Sequence, residues 1–163
     1  MLKYTIGFIK KGDQILLLNR ESPAWMGNWN GVGGKIEAGE TPLAGILREI
    51  KEETGILLTE AIYKGRVTWN VDGQREGGMY AYFAELPDTY EYPTPIKREE
   101  GILDWKNIDW ILHPKNSGVA NLSYFLPVLL AESAPYHHAF TYRNGHVDNF
   151  SSTLLERTST NQL

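Results

Sequence analysis

The stretch GGKIEAGETPLAGILREIKEETGI, residues 33–56, is where the pattern of the chain changes. Ahead of Lys35 the sequence is glycine-rich and without a period; from Thr41 it reads as a helix. Thr41 suits the N-cap and Pro42 the first helical position, and Leu43, Ile46, Leu47 and Ile50 recur at helical spacing until Gly55 supplies a stop. At about 100° per residue, Glu49, Glu52 and Glu53 share one sector beside that apolar stripe. Like charges at i, i+3 and i, i+4 disfavour a helix by about 0.2–0.5 kcal/mol per pair, so three crowded glutamates need a reason.

One reading is a solvated face on which Arg48 and Glu52 form an i, i+4 pair. The other is that the carboxylates await a cation. Carboxylate oxygens suit hard divalent ions such as Mg²⁺ or Mn²⁺, which keep some water and take substrate phosphates into their shell. The loop GVGGK just ahead lets backbone approach a ligand closely, although it lacks the ending of a P-loop and the spacing of a dinucleotide fingerprint.

Outward from this helix, LKYTIGFIKKGDQILLLNR reads as two strands around a KKGD turn, and ESPAWMGNWNGVGGK as a loop. On the other side, AIYKGRVTWNV and GGMYAYFAEL read as strands joined by DGQREGG, followed by the proline-rich connection PDTYEYPTP. NLSYFLPVLLAE reads as a second helix in which Pro127 marks an early turn or kink, and HHAFTYRNGHVDNF as a hairpin turning at Asn144-Gly145. Strands before, between and after two helices predict a mixed α/β (α+β) domain with helices packed on a sheet. The expected organisation is one domain over residues 1–155 and a flexible C-terminal tail over 156–163.

With 163 residues, 42% hydrophobic and 22% charged, the chain has the composition of an ordinary globular domain. A net charge of −4 argues against broad affinity for a nucleic-acid backbone, so a nucleic-acid duplex is not an expected partner, whereas a single nucleotide in a local pocket is compatible. The absence of cysteine excludes disulfides and thiolate metal sites. No run approaches the roughly 18–20 apolar residues of a membrane span and MLKYTIGFIKKGDQ has no long apolar core, so the expectation is a cytoplasmic protein without a membrane partner. The oligomeric state stays open. His113, His137, His138 and His146 lack the helical spacing of a zinc site and read as structural or exposed.

Gly34, five residues, Glu40, seven residues, then REIKEETGI from Arg48 to Ile56 resembles the Nudix box at every defining position. The resemblance implies an αβα sandwich carrying a loop-helix-loop, and hydrolysis of a nucleoside diphosphate linked to another group with Mg²⁺ or Mn²⁺. Carried over by the motif, Glu49, Glu52 and Glu53 are the expected metal ligands, assisted by a carbonyl of Gly33 or Gly34. Arg48 is expected to orient the carboxylates, with Glu40 in a structural salt bridge and Glu49 open to a second role as base. Lys35 and Arg20 are candidates for the phosphates.

Outside the box, LLLNRESPAWMGNWNGVGGK is similar to MutT-type enzymes, especially oxidised-purine nucleoside triphosphatases, whose WNG.GGK recurs as Trp29 to Lys35. This implies a base contact from Asn30, whose amide both donates and accepts, and a metal-binding or basic role for Glu100, with Glu99 close enough to compete for it. Where those enzymes carry a tryptophan and an acidic pair, this chain has Val119, Asn121 and Leu122, of which Asn121 alone can hydrogen-bond a base. Trp25, Trp29, Trp69 and Tyr124 are candidates to stack on a base, against the alternative of ordinary packing. Tyr90 and Tyr92 read as cover for the proline-rich connection.

The leading expectation is a nucleoside triphosphate pyrophosphohydrolase, giving a nucleoside monophosphate and pyrophosphate, with oxidised purine nucleotides such as 8-oxo-dGTP as candidate substrates. The alternatives are another nucleoside-diphosphate-linked substrate (ADP-ribose, a nucleotide sugar, dihydroneopterin triphosphate or an RNA 5′ end) and a non-catalytic nucleotide-sensing domain.

Overall fold

A computed structural model describes residues 1–23 and 26–155. Trp25 and the tail expected over 156–163 lie outside the described residues.

The first hairpin forms as the KKGD turn predicts, from β1 (Tyr4–Lys11) and β2 (Gln14–Arg20) paired antiparallel. The glycine-rich segment is not wholly loop: β3 (Trp29–Asn30) pairs with β2, and Val32 and Lys35 bridge to Gly7 and Tyr4 of β1. Helix α1 (Pro42–Thr54) has the expected ends, with Thr41 Oγ1 accepting from the Ala44 amide at 3.1 Å and Gly55 in the left-handed region at φ 79°.

β4 (Ile62–Val71) and β5 (Arg75–Leu86) follow. Their turn is shorter than DGQREGG suggests, because Arg75 to Gly78 stay in register opposite Thr68 to Val71. No sequence expectation covered β6 (Ile96–Arg98), β7 (Gly101–Asn107) and the short α2 (Ile108–Ile111). Helix α3 (Leu122–Ala131) contains Pro127 in its interior rather than at an early turn. Pro127 is exposed, so its ring and missing N–H face away from the core. β8 (Tyr136–Arg143) and β9 (His146–Leu154) close the described chain as the predicted hairpin.

One sheet runs in the order β6-β7-β2-β1-β5-β4-β8-β9, with β3 attached to β2. It is mixed, since β1–β5 and β4–β8 pair in parallel and the rest antiparallel. Both faces are covered near its centre, which is why the β2 run ILLL is continuously apolar. Ile15 and Leu17 join Phe8, Val67 and Phe140 under Phe125 and Leu126 of α3. Leu16 and Leu18 join Ile9, Tyr80 and Tyr82 on the opposite side, with Ile46 and Ile50 of α1. The helices thus sandwich the sheet, and α1 is held by an apolar stripe that flanks its glutamates.

Candidate active site

Arg48 organises the carboxylates. Its Nε and Nη2 donate to the two oxygens of Glu40 at 2.7 and 3.0 Å, a bidentate pair, and Nη2 also donates to the Lys35 carbonyl at 2.9 Å. Nη1 reaches Glu49 Oε1 and Glu52 Oε2, both at 3.1 Å. Arg48 holds the Glu40 carboxyl below the usual carboxylate range, and the surrounding acids raise the Arg48 pKa in turn. The guanidinium therefore does more than form the exposed i, i+4 pair of the simpler reading: it ties the glycine-rich loop to the helix and orients two glutamates.

Glu53 sits in a different environment. It is 6% exposed, its Oε1 accepts from the Gly33 amide at 3.0 Å, and its Oε2 has no hydrogen-bond partner. Burial first, and the adjoining Glu49 second, push its carboxyl up to about 8, against the Gly33 amide and the charge of Arg20, which pull it down. Gly34 is glycine for room, since a Cβ there would stand 2.6 Å from Glu49 Oε1. The Gly34 carbonyl accepts from the Thr5 amide at 2.8 Å and Thr5 Oγ1 at 3.2 Å, so metal coordination there requires one Thr5 contact to yield.

A cavity of about 530 Å³ joins Glu49 and Glu53 to Arg20, Asn30, Lys35 and Glu100. These six come from β2, the β3 loop, α1 and the β6–β7 turn. Arg20 Nη2 lies 3.8 Å from Glu100 Oε2 across the mouth. Asn30 is buried, and its Oδ1 accepts from the Gly31 amide at 2.8 Å, leaving the Nδ2 hydrogens for a ligand. Trp69, Met79, Ile6 and Thr5 also line the cavity. Trp69 was among the aromatic candidates. Met79, Ile6 and Thr5 were missed, because nothing local distinguishes them from other strand residues.

Other candidates lie elsewhere. Glu52 is more than half exposed, on the outer side of Arg48. Asn121 donates from Nδ2 to the Tyr142 hydroxyl at 2.7 Å and is not among the residues lining the cavity. Val119 and Leu122 are buried in the core beneath α3, so the departures from the oxidised-purine pattern fall on packing positions. Trp29 packs against Lys106, whose Nζ is 4.4 Å from the ring centroid; Tyr124 packs on Phe140 and Phe150. The Tyr92 hydroxyl donates to the Thr54 carbonyl, pinning the connection against the end of α1. His138 is buried against Ser152 and His137 is bonded to Thr68.

Among the described residues no three Asp, Glu or His side chains converge into a ready cage. The donor set nevertheless fits a divalent cation: a buried carboxylate with an orphan oxygen beside a second carboxylate is costly without positive charge between them.

The family model of the NUDIX domain matches residues 3–126, and the chain belongs to the Nudix family. It is a Nudix hydrolase, of the pyrophosphohydrolases that act on phosphoric anhydrides, a family that generally needs divalent metal ions. Among relatives, the chain is 29% identical over 136 residues to the Nudix hydrolase YvcI of Bacillus subtilis, covering 82% of each chain. It is 29% identical over 128 residues to the oxidized purine nucleoside triphosphate hydrolase of Mus musculus, covering 78% of each. The crystal structure of the MutT protein from Bacillus halodurans superposes with a TM-score of 0.74 at 26% identity, over 93% of this chain and 97% of that one.

Proposed function

We propose that the chain, acting as a single domain over residues 1–155, is a Mg²⁺-dependent nucleoside triphosphate pyrophosphohydrolase that releases a nucleoside monophosphate and pyrophosphate. Modified purine nucleotides such as 8-oxo-dGTP are the leading substrate class. The observation that carries this reading is the cavity in which the orphaned Glu53 carboxylate faces the cations Arg20 and Lys35 and the amide of Asn30.

Glu49 and Glu53 would hold the metal, with Glu52 and the Gly34 carbonyl completing the set once Arg48 and Thr5 release them. When bound, Mg²⁺ neutralises phosphate oxygens and lowers the pKa of a water. Lys35 and Arg20 take the remaining phosphate charge and hold the chain of phosphates in line. Glu100, in the cavity wall, accepts the proton of the attacking water. Asn30 donates to an acceptor on the purine edge while Trp69 offers a face for stacking. Mn²⁺ suits the same oxygen donors. No helix among the described residues is long and apolar enough to cross a membrane, which is compatible with a cytoplasmic enzyme.

The experiment is a panel of nucleoside triphosphates, ADP-ribose and nucleotide sugars, assayed with Mg²⁺ for pyrophosphate against orthophosphate, with 8-oxo-dGTP and dGTP side by side. Pyrophosphate release from triphosphates is expected. A product mixture that never contains pyrophosphate would reject the triphosphate reading, and equal kcat/KM on 8-oxo-dGTP and dGTP would reject the oxidised-base preference.

A further inference from the structure

The face of the sheet on which α1 packs is covered over β1 and β5 and continues onto β4 and β8 with no helix above it among the described residues. By register, Arg66 and Thr68 of β4, Tyr80 and Gly78 of β5, and His137, Ala139 and Thr141 of β8 share that face. Arg66 is anomalous. A guanidinium has five N–H donors, and Arg48 commits its own to carboxylates and a carbonyl. The Arg66 side chain makes neither a hydrogen bond nor an ion pair among the described residues, and its Nε is buried without an acceptor. Burial first, and the charge of Arg66 second, hold the His137 imidazole below its ordinary pKa, which puts the guanidinium close to that ring. A buried N–H without an acceptor is costly even on a half-buried guanidinium, and an anion held by that fork would relieve it.

Beside Arg66, His137 Nε2 lies 2.7 Å from Thr68 Oγ1. With the imidazole proton on Nε2, donation to Oγ1 leaves the Thr68 hydroxyl hydrogen free for a second acceptor. Thr68, two residues along β4 from Arg66, also lines a groove of about 980 Å³ that Gly78, Ala139 and Thr141 share with Leu2 and that Lys3, Arg75 and Glu76 border. Among the described residues, the groove and the glutamate cavity share only Tyr4 and Trp69. Trp69 alternates onto the opposite face from Thr68, so Arg66 lies away from the hydrolytic carboxylates.

We propose that Arg66, with Thr68 and His137, anchors the phosphate of a small phosphorylated ligand whose organic part lies in this groove, a site distinct from the glutamate cavity. The fork of Arg66 matches phosphate oxygens, and the Thr68 hydroxyl supplies a further donor. The groove lies within the usual size range of small-molecule sites.

The test uses metal-free protein at constant ionic strength, titrated with inorganic phosphate and with AMP and followed by the Arg66 Nε–H and the Thr68 and Ala139 amide resonances. Saturable shifts are expected for both, with AMP at least tenfold tighter. Glu53→Gln should keep these shifts, which separates this site from the hydrolytic reading. Arg66→Met should lose the Thr68 and Ala139 shifts while retaining metal-dependent hydrolysis. Arg66→Lys, which keeps the charge, covers the case that Arg66→Met does not fold, and should weaken binding several-fold. Shifts absent from the parent, undiminished in the Arg66 variants, or equally tight for phosphate and AMP would each overturn the proposal.

Discussion

At the scale of single residues, Glu53 and Arg48 stand in opposite environments. Glu53 is a carboxyl held above its ordinary pKa, so metal-free folded protein keeps a proton up to about pH 8 that the unfolded chain has lost above about 4.5. The folded state then binds more protons than the unfolded one across that window. Stability is full below it and declines as pH rises through it, by up to about 1.4 kcal/mol per pH unit. Glu53→Gln should therefore flatten the loss of Tm between pH 5 and 8.5 in EDTA while reducing Mg²⁺-dependent hydrolysis by at least a hundredfold. An unchanged turnover rate would remove Glu53 from the metal set. Arg48→Lys replaces a fork by a point charge and cannot span Glu40 and the two glutamates together. A tenfold to hundredfold fall in kcat is expected, with weaker Mn²⁺ affinity measured by titration, because the carboxylates lose their orientation rather than their identity.

At the scale of elements, α1 does two jobs on faces that lie only about 60° apart around the helix. Ile46 and Ile50 bury it against the sheet while Glu49 and Glu53 reach the cavity. Its N-terminal cap lies far from the carboxylates along the helix axis. Thr41→Ala removes the acceptor for the Ala44 amide and should cost about 1 kcal/mol in denaturant unfolding with kcat unchanged. A comparable loss of activity would show that the helix start is coupled to the site. Cap, stripe and stop of this helix were all legible, because each depends on residues within one or two turns. The β6–β7 hairpin was not: β6 has only three residues and the turn is Glu99-Glu100, not one of the recognised two-residue turn pairs, yet it delivers Glu100.

At the scale of the whole molecule, the far side of the sheet sets an acid limit. His138 is fully buried among Tyr136, Phe125 and Phe150, and burial followed by the neighbouring His137 depresses its pKa to about 4. The unfolded chain takes up this proton near pH 6.5 and the folded protein does not. The contribution of this histidine is thus complete above about 6.5 and is lost as pH falls toward 4. His138→Phe should make Tm less sensitive to pH between 6.5 and 4; an acid limb as steep as the parent's would assign the effect to other groups.

Residues 33–56 contain the helix, the crowding of the glutamates and their distance from Gly34, since helical period and chain spacing are local properties. They do not say which glutamate is buried and which faces solvent. That depended on the sheet: β1 pairing with the glycine-rich loop places Gly33 where its amide meets Glu53, while Arg48 keeps Glu52 outside. Likewise Asn30, Arg20 and Glu100 are recognisable only by resemblance, and nothing along the chain says that Asn121 donates to the Tyr142 hydroxyl away from the residues lining the cavity. Contacts between residues far apart in the chain follow from strand register and layer packing, which no local pattern encodes. The crowding of the carboxylates was readable along the chain, and the shape of the cavity around them arose only when distant strands paired.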